Sequence, residues 1–429
     1  MQRWLKFAKY LRRSGWEPII YTAENPEYPI IDLSFEKDIP PGILVLRQPI
    51  WEPYKLYKRL IGQKKNERVV SGFLQEKGRR SWAQTLSLWL RGNVFIPDAR
   101  RFWIAPSVKY LSGWLKKNPV DAIVSNGPPH SMHLIGKGLK QKTGIPWLAD
   151  FRDPWANIDF AEDLNMTAYA RRRNLSLEKS VLDSADKVVV VSDLMADEFR
   201  SKTRTSISVI TNGFDPEDFI VSNEHLRNDG QFTIVHTGSL NNRRNHPALW
   251  KALSELCGES KEFREILKIR LIGKNDVSIG DNIKKFNLTA NTEYIDYLPH
   301  NQIIAEQKSA SVLLLSINNF GDDEHGFFSP KATLTGKLFE YLAAGRPILM
   351  IGPKESQAAE LLKECEAGEV ADFGDEKKIK ELVTMWFELF QKKGLADTTG
   401  NVKRFSREEL TLKMVEELEG IVKLRSGLH

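Results

Sequence analysis

At 429 residues, 41% hydrophobic and 28% charged, the chain is too long for one ordinary domain and suits two or three globular ones. No apolar run reaches the roughly 18 to 20 residues of a membrane-spanning helix, and the basic start MQRWLKFAKYLRRSGW lacks the apolar stretch of a secretory signal. Cys257 and Cys365 are the only cysteines and form no CxxC or Cys/His cluster, which argues against a disulfide framework or structural zinc site and fits a reducing cytosol.

The net charge of +6 is unevenly placed. Residues 47–117 hold 16 Lys and Arg against 4 Asp and Glu, together with Trp51, Trp82, Trp89, Trp103 and Trp114. Basic charge interleaved with aromatics suits an anionic membrane surface; the plain alternative is a solvated face over buried tryptophans. No nucleic-acid motif accompanies the charge, so no nucleic-acid partner is expected.

From about residue 118 short apolar runs alternate with amphipathic stretches. DAIVS, PWLADF, KVVVVS and ISVIT read as strands, then FTIVHTG, LKIRLIG, TEYIDYL, SVLLLSI and RPILMIG. Several are apolar without alternation, as parallel strands covered on both faces are. The series predicts an α/β protein of two doubly wound, Rossmann-like domains facing a cleft, with the break in the polar stretch 212–231. The expected division is 1–218, 219–405, and a C-terminal helix over 406–429 that packs back on the first domain; Ser406 and Glu409 have capping-box spacing.

Four stretches carry candidate chemistry. After DAIVS, the turn Asn126-Gly127-Pro128-Pro129 leads into a helix beginning near His130 or Ser131. His130 would stand at a strand's carboxyl end as acid, base or ligand, or hydrogen-bond only locally; His133 reads as structural. In WLADFRDPW, Asp150 and Arg152 share a face of an extended segment while Asp153 takes another direction. These three either divide the work of base and orienter or staple the turn as an ion pair.

In HTGSLNNRRNHPALW a strand ends at Thr237, Gly238 permits close backbone approach, and Arg243 and Arg244 precede a helix starting near Asn245 to Pro247. That is a diphosphate-binding arrangement, although neither a Walker loop nor GxGxxG is present; the alternative is a charged surface turn. In TGKLFEYLAAGRPIL a helix starting at Thr335 or Gly336 brings Lys337 and Glu340 together at i, i+3. Glu340 is either half of a weak surface ion pair or a cleft-facing acceptor for two hydroxyls, as of a ribose.

SNGPPHSMHLIGKGLKQKTGIPWLADFRDPW, VVVVSDLMADEF, VITNGFDPEDF and TGKLFEYLAAGRPIL, in that order, resemble the GT-B-fold glycosyltransferases, particularly the family-4-like enzymes of bacterial cell-surface polysaccharide synthesis. The resemblance implies transfer of a sugar from a nucleotide diphosphate sugar to a saccharide or lipid-linked acceptor, with retention of configuration and without a metal or other cofactor. It implies a donor site of Gly238, Ser239, Arg243, Arg244, Lys337, Leu338 and Glu340, with the ribose on Glu340 and the diphosphate on Gly238 and Arg244. His130, Arg152 and Asp153 would line the sugar and acceptor side. The expected location is the cytoplasm, with peripheral contact to the inner membrane face through 47–117. A nucleotide-sugar 2-epimerase and a non-catalytic binding protein of the same fold are the alternatives.

The chain departs from the family pattern in three places. Eight residues before Glu340, where the family commonly has a second glutamate, stands Ala332; Asp322, Asp323 or Glu324 would then reach the sugar. The arginine often found after the phosphate-loop glycine is Ser239, with Arg243 as the expected compensation. The family has a strand and a glycine-rich loop ahead of the helix QRWLKFAKYLRRSGW, so the first domain is expected to lack its first strand and expose an inner edge, from a late start or a truncated gene.

Overall fold

The computed structural model describes residues 2–26, 32–52, 82–156, 164–221, 226–227, 229–320, 331, 334–394, 397–398 and 400–426. Two compact units emerge: Met1–Ile31, Asp38–Thr211 and Leu410–His429 form the first, and Asp32–Lys37 with Asn212–Glu409 the second.

The first unit runs α1 (Gln2–Arg13), β1 (Ile19–Ala23), β2 (Leu44–Gln48), α2 (Trp82–Asn93), α3 (Ile104–Leu115), β3 (Ile123–Gly127), α4 (Ser131–Thr143), β4 (Trp147–Phe151), α5 (Ala168–Leu182), β5 (Lys187–Val190), α6 (Asp193–Lys202) and β6 (Ile207–Val209). β3-β4-β5-β6 form one parallel sheet, while β1 and β2 pair parallel in a separate two-stranded sheet. Among the described residues β1 is laddered only to β2, and β3 only to β4. Burial follows: β4 is buried at every position, whereas β1 and β3 are partly exposed. β1 and β2 had no counterpart in the sequence reading, because IIYTA and LVLRQ are short and lack the continuous apolar signature of a covered strand.

In the second unit β7 (Phe232–Thr237), α7 (Pro247–Glu259), β8 (Leu267–Ile272), β9 (Thr292–Ile295), α8 (His300–Lys308), β10 (Val312–Ser316), α9 (Gly336–Ala344), β11 (Ile348–Ile351), β12 (Gly368–Ala371) and α10 (Glu376–Lys393) lead to α11 (Arg407–Ser426). The six strands are all parallel in the order β12-β11-β10-β7-β8-β9. Alternate residues face opposite layers. Ile234, Leu314 and Leu349 pack with Trp250 and Trp386 on one side, while Val235, Leu313 and Met350 pack with Leu338, Tyr341 and Leu342 on the other.

The sheet grows from β7 outward through β8 and β9, then returns to add β10, β11 and β12 on the other side. The connections after β7 and β10 thus diverge, and a crevice opens at the carboxyl ends of these two strands. The short segment Asp32–Lys37 joins this unit through Asp32, whose carboxylate accepts from the Tyr297 hydroxyl at 2.8 Å and the His300 amide at 3.1 Å. It caps α8, whose own N-cap residue, Pro299, offers no side-chain acceptor.

α11 starts on a Ser406 cap, its hydroxyl accepting from the Glu409 amide at 3.2 Å. From Leu410 onward it belongs to the first unit, where Leu410, Met414, Leu418 and Ile421 pack with Phe7 and Leu11 of α1 and Leu148 and Val189 of the sheet.

Candidate functional site

The second unit's crevice is built around Gly238. β7 ends at Thr237, and Gly238 turns the chain at φ 91°, its amide donating to the Ile272 carbonyl at 2.7 Å. A Cβ there would lie 2.6 Å from Lys337 Cε and 2.9 Å from its Nζ, so the glycine makes room for that side chain. Gly273, also left-handed at φ 111°, packs against the Gly238 backbone, and the sequence reading did not single it out.

Arg244 closes a short 3-10 turn capped by Asn241. Its Nε donates to Asn318 Oδ1 at 2.9 Å and its Nη1 to the Ser239 carbonyl at 3.2 Å. Arg243 takes another direction: its guanidinium lies 4.8 Å from the centroid of the Phe320 ring. The side-chain cation that crosses the Gly238 turn is Lys337. Leu338 offers no side chain to the crevice, being fully buried in the core, with its amide on the Thr335 carbonyl at 3.1 Å.

Lys337 Nζ sits 3.3 Å from His236 Nε2 and 3.5 Å from the Ser239 carbonyl. Burial, with Arg244 adding to it and Glu340 opposing, brings its pKa down to about 7. Glu340 is half-buried and accepts from Gln307 Nε2 at 3.3 Å. Burial raises its pKa, against His300, Gln307 and Lys337. Lys337 and Glu340 share one side of α9 yet form no ion pair among the described residues, so the surface-pair reading of Glu340 falls. The next residue, Tyr341, is buried, accepts from the Thr237 amide at 3.0 Å, and has its pKa pushed up to about 12 by burial. Asp322, Asp323, Glu324 and Ala332 lie outside the described residues.

In the first unit, His130 is the residue before α4, buried at 7% exposure and stacked on Trp155 with centroids 4.8 Å apart and planes 8° apart. Its Nδ1 has no hydrogen-bond partner among the described residues. Burial, then the neighbouring His133 and Arg152, hold its pKa well below the usual histidine value, so the ring is neutral. Arg152 stands close by, Nη2 donating to the Pro128 carbonyl at 2.6 Å and its amide to the Gly127 carbonyl at 2.9 Å. The loops after β3 and β4 thus bring His130 and Arg152 together, while Asp153 is exposed beside them.

Asp150 corrects a further expectation. Its carboxylate is fully buried and taken by Arg3 through Nε and Nη2, both at 3.0 Å, and by the Trp4 indole at 2.6 Å. Arg3 reaches it from α1, a contact across 147 positions that no local spacing announces. His133 is structural, as expected, with Nδ1 2.8 Å from the Ser125 hydroxyl and no exposure.

The two arrangements differ in chemistry. Arg244 and Lys337 gather basic groups about Gly238 beside the Glu340 carboxylate, an acceptor, whereas His130 and Arg152 offer a neutral ring and a guanidinium at strand ends.

Similar proteins share this architecture. No curated protein matches the chain. Among solved structures, the Anabaena protein HepE, in complex with UDP and glucose, aligns with TM-score 0.60 and 14% identity over 97% of this chain and 95% of that one. A sucrose-phosphate synthase from Thermosynechococcus elongatus gives 0.58 and 14%, over 97% and 92%. WaaG, a glycosyltransferase involved in lipopolysaccharide biosynthesis, gives 0.54 and 13%, over 98% and 95%. At such identities the likeness concerns the fold. The family assignment rests on sequence models: residues 2–213 match the glycosyl transferase 4-like domain and residues 218–393 the glycosyl transferases group 1. Tiled in that order over nearly the whole chain, these matches place the protein in the family-4-like glycosyltransferases of the GT-B fold, and it is a transferase.

Proposed function

We propose that the protein moves a sugar from a nucleoside diphosphate sugar to a saccharide or lipid-linked acceptor in cell-surface polysaccharide synthesis, with retention of anomeric configuration. The observation that carries the reading is the placement of Lys337 and Arg244 about the Gly238 turn with Glu340 on the same side of α9 as Lys337. In this reading Glu340 accepts from the ribose hydroxyls, and the Gly238 turn holds the diphosphate. Arg244, Lys337 and the amino end of α9 stabilise the charge that builds on the diphosphate as the bond to the sugar breaks. Two side-chain cations supply the charge that a metal supplies in other enzymes, so no metal is required. The acceptor hydroxyl bonds to the anomeric carbon on the face the diphosphate leaves and passes its proton to the departing diphosphate; His130, Arg152 and Asp153 are the acceptor-side candidates of this reading.

The proposed setting is the cytoplasm, with peripheral contact to an anionic membrane through the basic, aromatic region 47–117. Exposed Trp51, Trp89 and Phe102 support this reading, while Trp103 of the same region is buried. No helix among the described residues is long and apolar enough to cross a membrane.

Thermal stabilisation by UDP, GDP, ADP and dTDP tests the donor site, with UDP first because HepE was solved with it. One nucleoside diphosphate is expected to raise Tm, and Glu340→Ala to weaken its binding about tenfold or more through loss of the hydroxyl contacts. Failure of all four to bind the wild type would remove the donor-site assignment. Sugar transfer that requires an acceptor separates this reading from a 2-epimerase, which turns over the donor alone.

A further inference from the structure

A buried imidazole stands directly behind the Lys337 ammonium. His236 lies in β7 with 1% exposure, and its Nδ1 is 3.0 Å from the Leu314 carbonyl of the adjacent strand β10. A carbonyl only accepts, so Nδ1 carries the hydrogen. Burial first, and the neighbouring Lys337 next, hold the His236 pKa well below the usual value, and the ring is neutral. Its Nε2 is therefore a lone pair, 3.3 Å from Lys337 Nζ, and it accepts from the lysine.

That direction has a consequence. A lysine has four rotatable carbons and three donors, and by itself it samples many positions. Here one hydrogen is drawn to His236 and another toward the Ser239 carbonyl at 3.5 Å, and Gly238 lacks the Cβ that would block the path. The ammonium is held over the turn at the place where the chain has Ser239 instead of an arginine. Lys337 faces His236 of β7, Arg244 of the turn after it, and Glu340 one turn along α9; Arg244 disfavours its charge and Glu340 favours it.

We propose that His236 is a positioning residue for the diphosphate subsite: its Nε2 lone pair aims Lys337 at the second phosphate, and the lysine becomes fully protonated once that phosphate is bound. This rests on the donor-site reading above and assigns to His236 a part that the nucleoside end of the ligand does not feel. A free-state pKa of about 7 for Lys337 fits the second half, since an arriving anion stabilises the ammonium and raises that value. Protonation and diphosphate binding then support each other. Diphosphate affinity is greatest where the ammonium is present before binding, and it falls as pH rises above about 7.

The test compares UDP with UMP by calorimetry, or GDP with GMP if the screen favours guanine. His236→Asn keeps a donor for the Leu314 carbonyl and removes the acceptor at Nε2. The expected result is about a tenfold loss for UDP with UMP unchanged, because a charge-assisted contact to the second phosphate is lost. Lys337→Met should show the same selective loss, and the double variant no further one. Wild-type binding of UDP should take up protons at pH 8, read from buffers of different ionisation enthalpy, while UMP binding takes up fewer. Equal loss of UDP and UMP in His236→Asn, an unchanged UDP affinity, or equal proton uptake for both ligands would overturn the assignment. If His236→Asn does not fold, Lys337→Met and the wild-type proton count decide it. Wild-type protein that binds UMP and UDP equally would refute the positioning role, whereas protein that binds no nucleotide would refute the donor site itself.

Discussion

Arg3 and Trp4 reach the Asp150 carboxylate from α1, so this acid, one strand position from the loop that carries Arg152, anchors a helix. The ion pair is almost fully buried on both sides, and Arg3 also donates to the carbonyls of Ile210 and Thr211. Removing the acid alone would leave a guanidinium buried without its counter-charge. Asp150→Asn is expected to cost about 3 to 5 kcal/mol of first-unit stability, read from urea unfolding. The double variant Arg3→Met/Asp150→Leu should recover much of that loss, because the desolvation of both charges disappears together. A cost under about 1 kcal/mol for the single variant would mean that the pair is solvated in solution. Lys337 presents the opposite case. Its neighbours in sequence suggested Glu340 as partner, and its contacts are His236 and the Ser239 carbonyl, both from the β7 side.

Among the elements, α11 carries the clearest energetic claim. Leu410, Met414, Leu418 and Ile421 recur at the helical spacing and are each under 5% exposed, packed with α1 over one face of the first unit's sheet. Met414, fully buried, lies between these layers. Met414→Ala is expected to destabilise the first unit by about 2 to 5 kcal/mol, the usual range for emptying such a site. Because the second unit's core contains none of these side chains, a two-transition thermal scan should show the first unit's transition move and the second stay. The turn after β7 shows the complementary principle. Gly238, the Asn241 cap and the start of α7 at Pro247 fix where the backbone goes, and side chains from β10 and α9 then fill the space it leaves.

For the molecule as a whole, the uneven charge bears on where it works. Trp51, at 58% exposure, and Phe102, at 48%, meet edge to face with centroids 5.2 Å apart, and the Arg101 guanidinium lies over Phe102. Co-sedimentation with anionic vesicles is expected, weakened by about 0.5 M salt, and Trp51→Ser/Phe102→Ser is expected to reduce it about tenfold through lost apolar insertion. Equal binding to neutral vesicles would count against the electrostatic part of this idea. The sequence by itself determined the nine strands from DAIVS to RPILMIG, helix starts to within about two residues of Ser131, Pro247 and Gly336, and the residue types of the Gly238 turn. Those features depend on local periodicity, turn chemistry and capping, which are properties of neighbouring residues. Only the tertiary structure decided that Lys337 rather than Arg243 crosses Gly238, that Asp150 belongs to Arg3, that His236 stands behind Lys337, and that Asp32 caps α8. Each of those pairings joins residues of different elements 99 or more positions apart (337 − 238 = 99 for the shortest), through the order in which parallel strands assemble. Hydrogen bonds and ion pairs inside a fold go to whichever group the packing brings within about 3 Å, and sequence spacing carries no record of that distance.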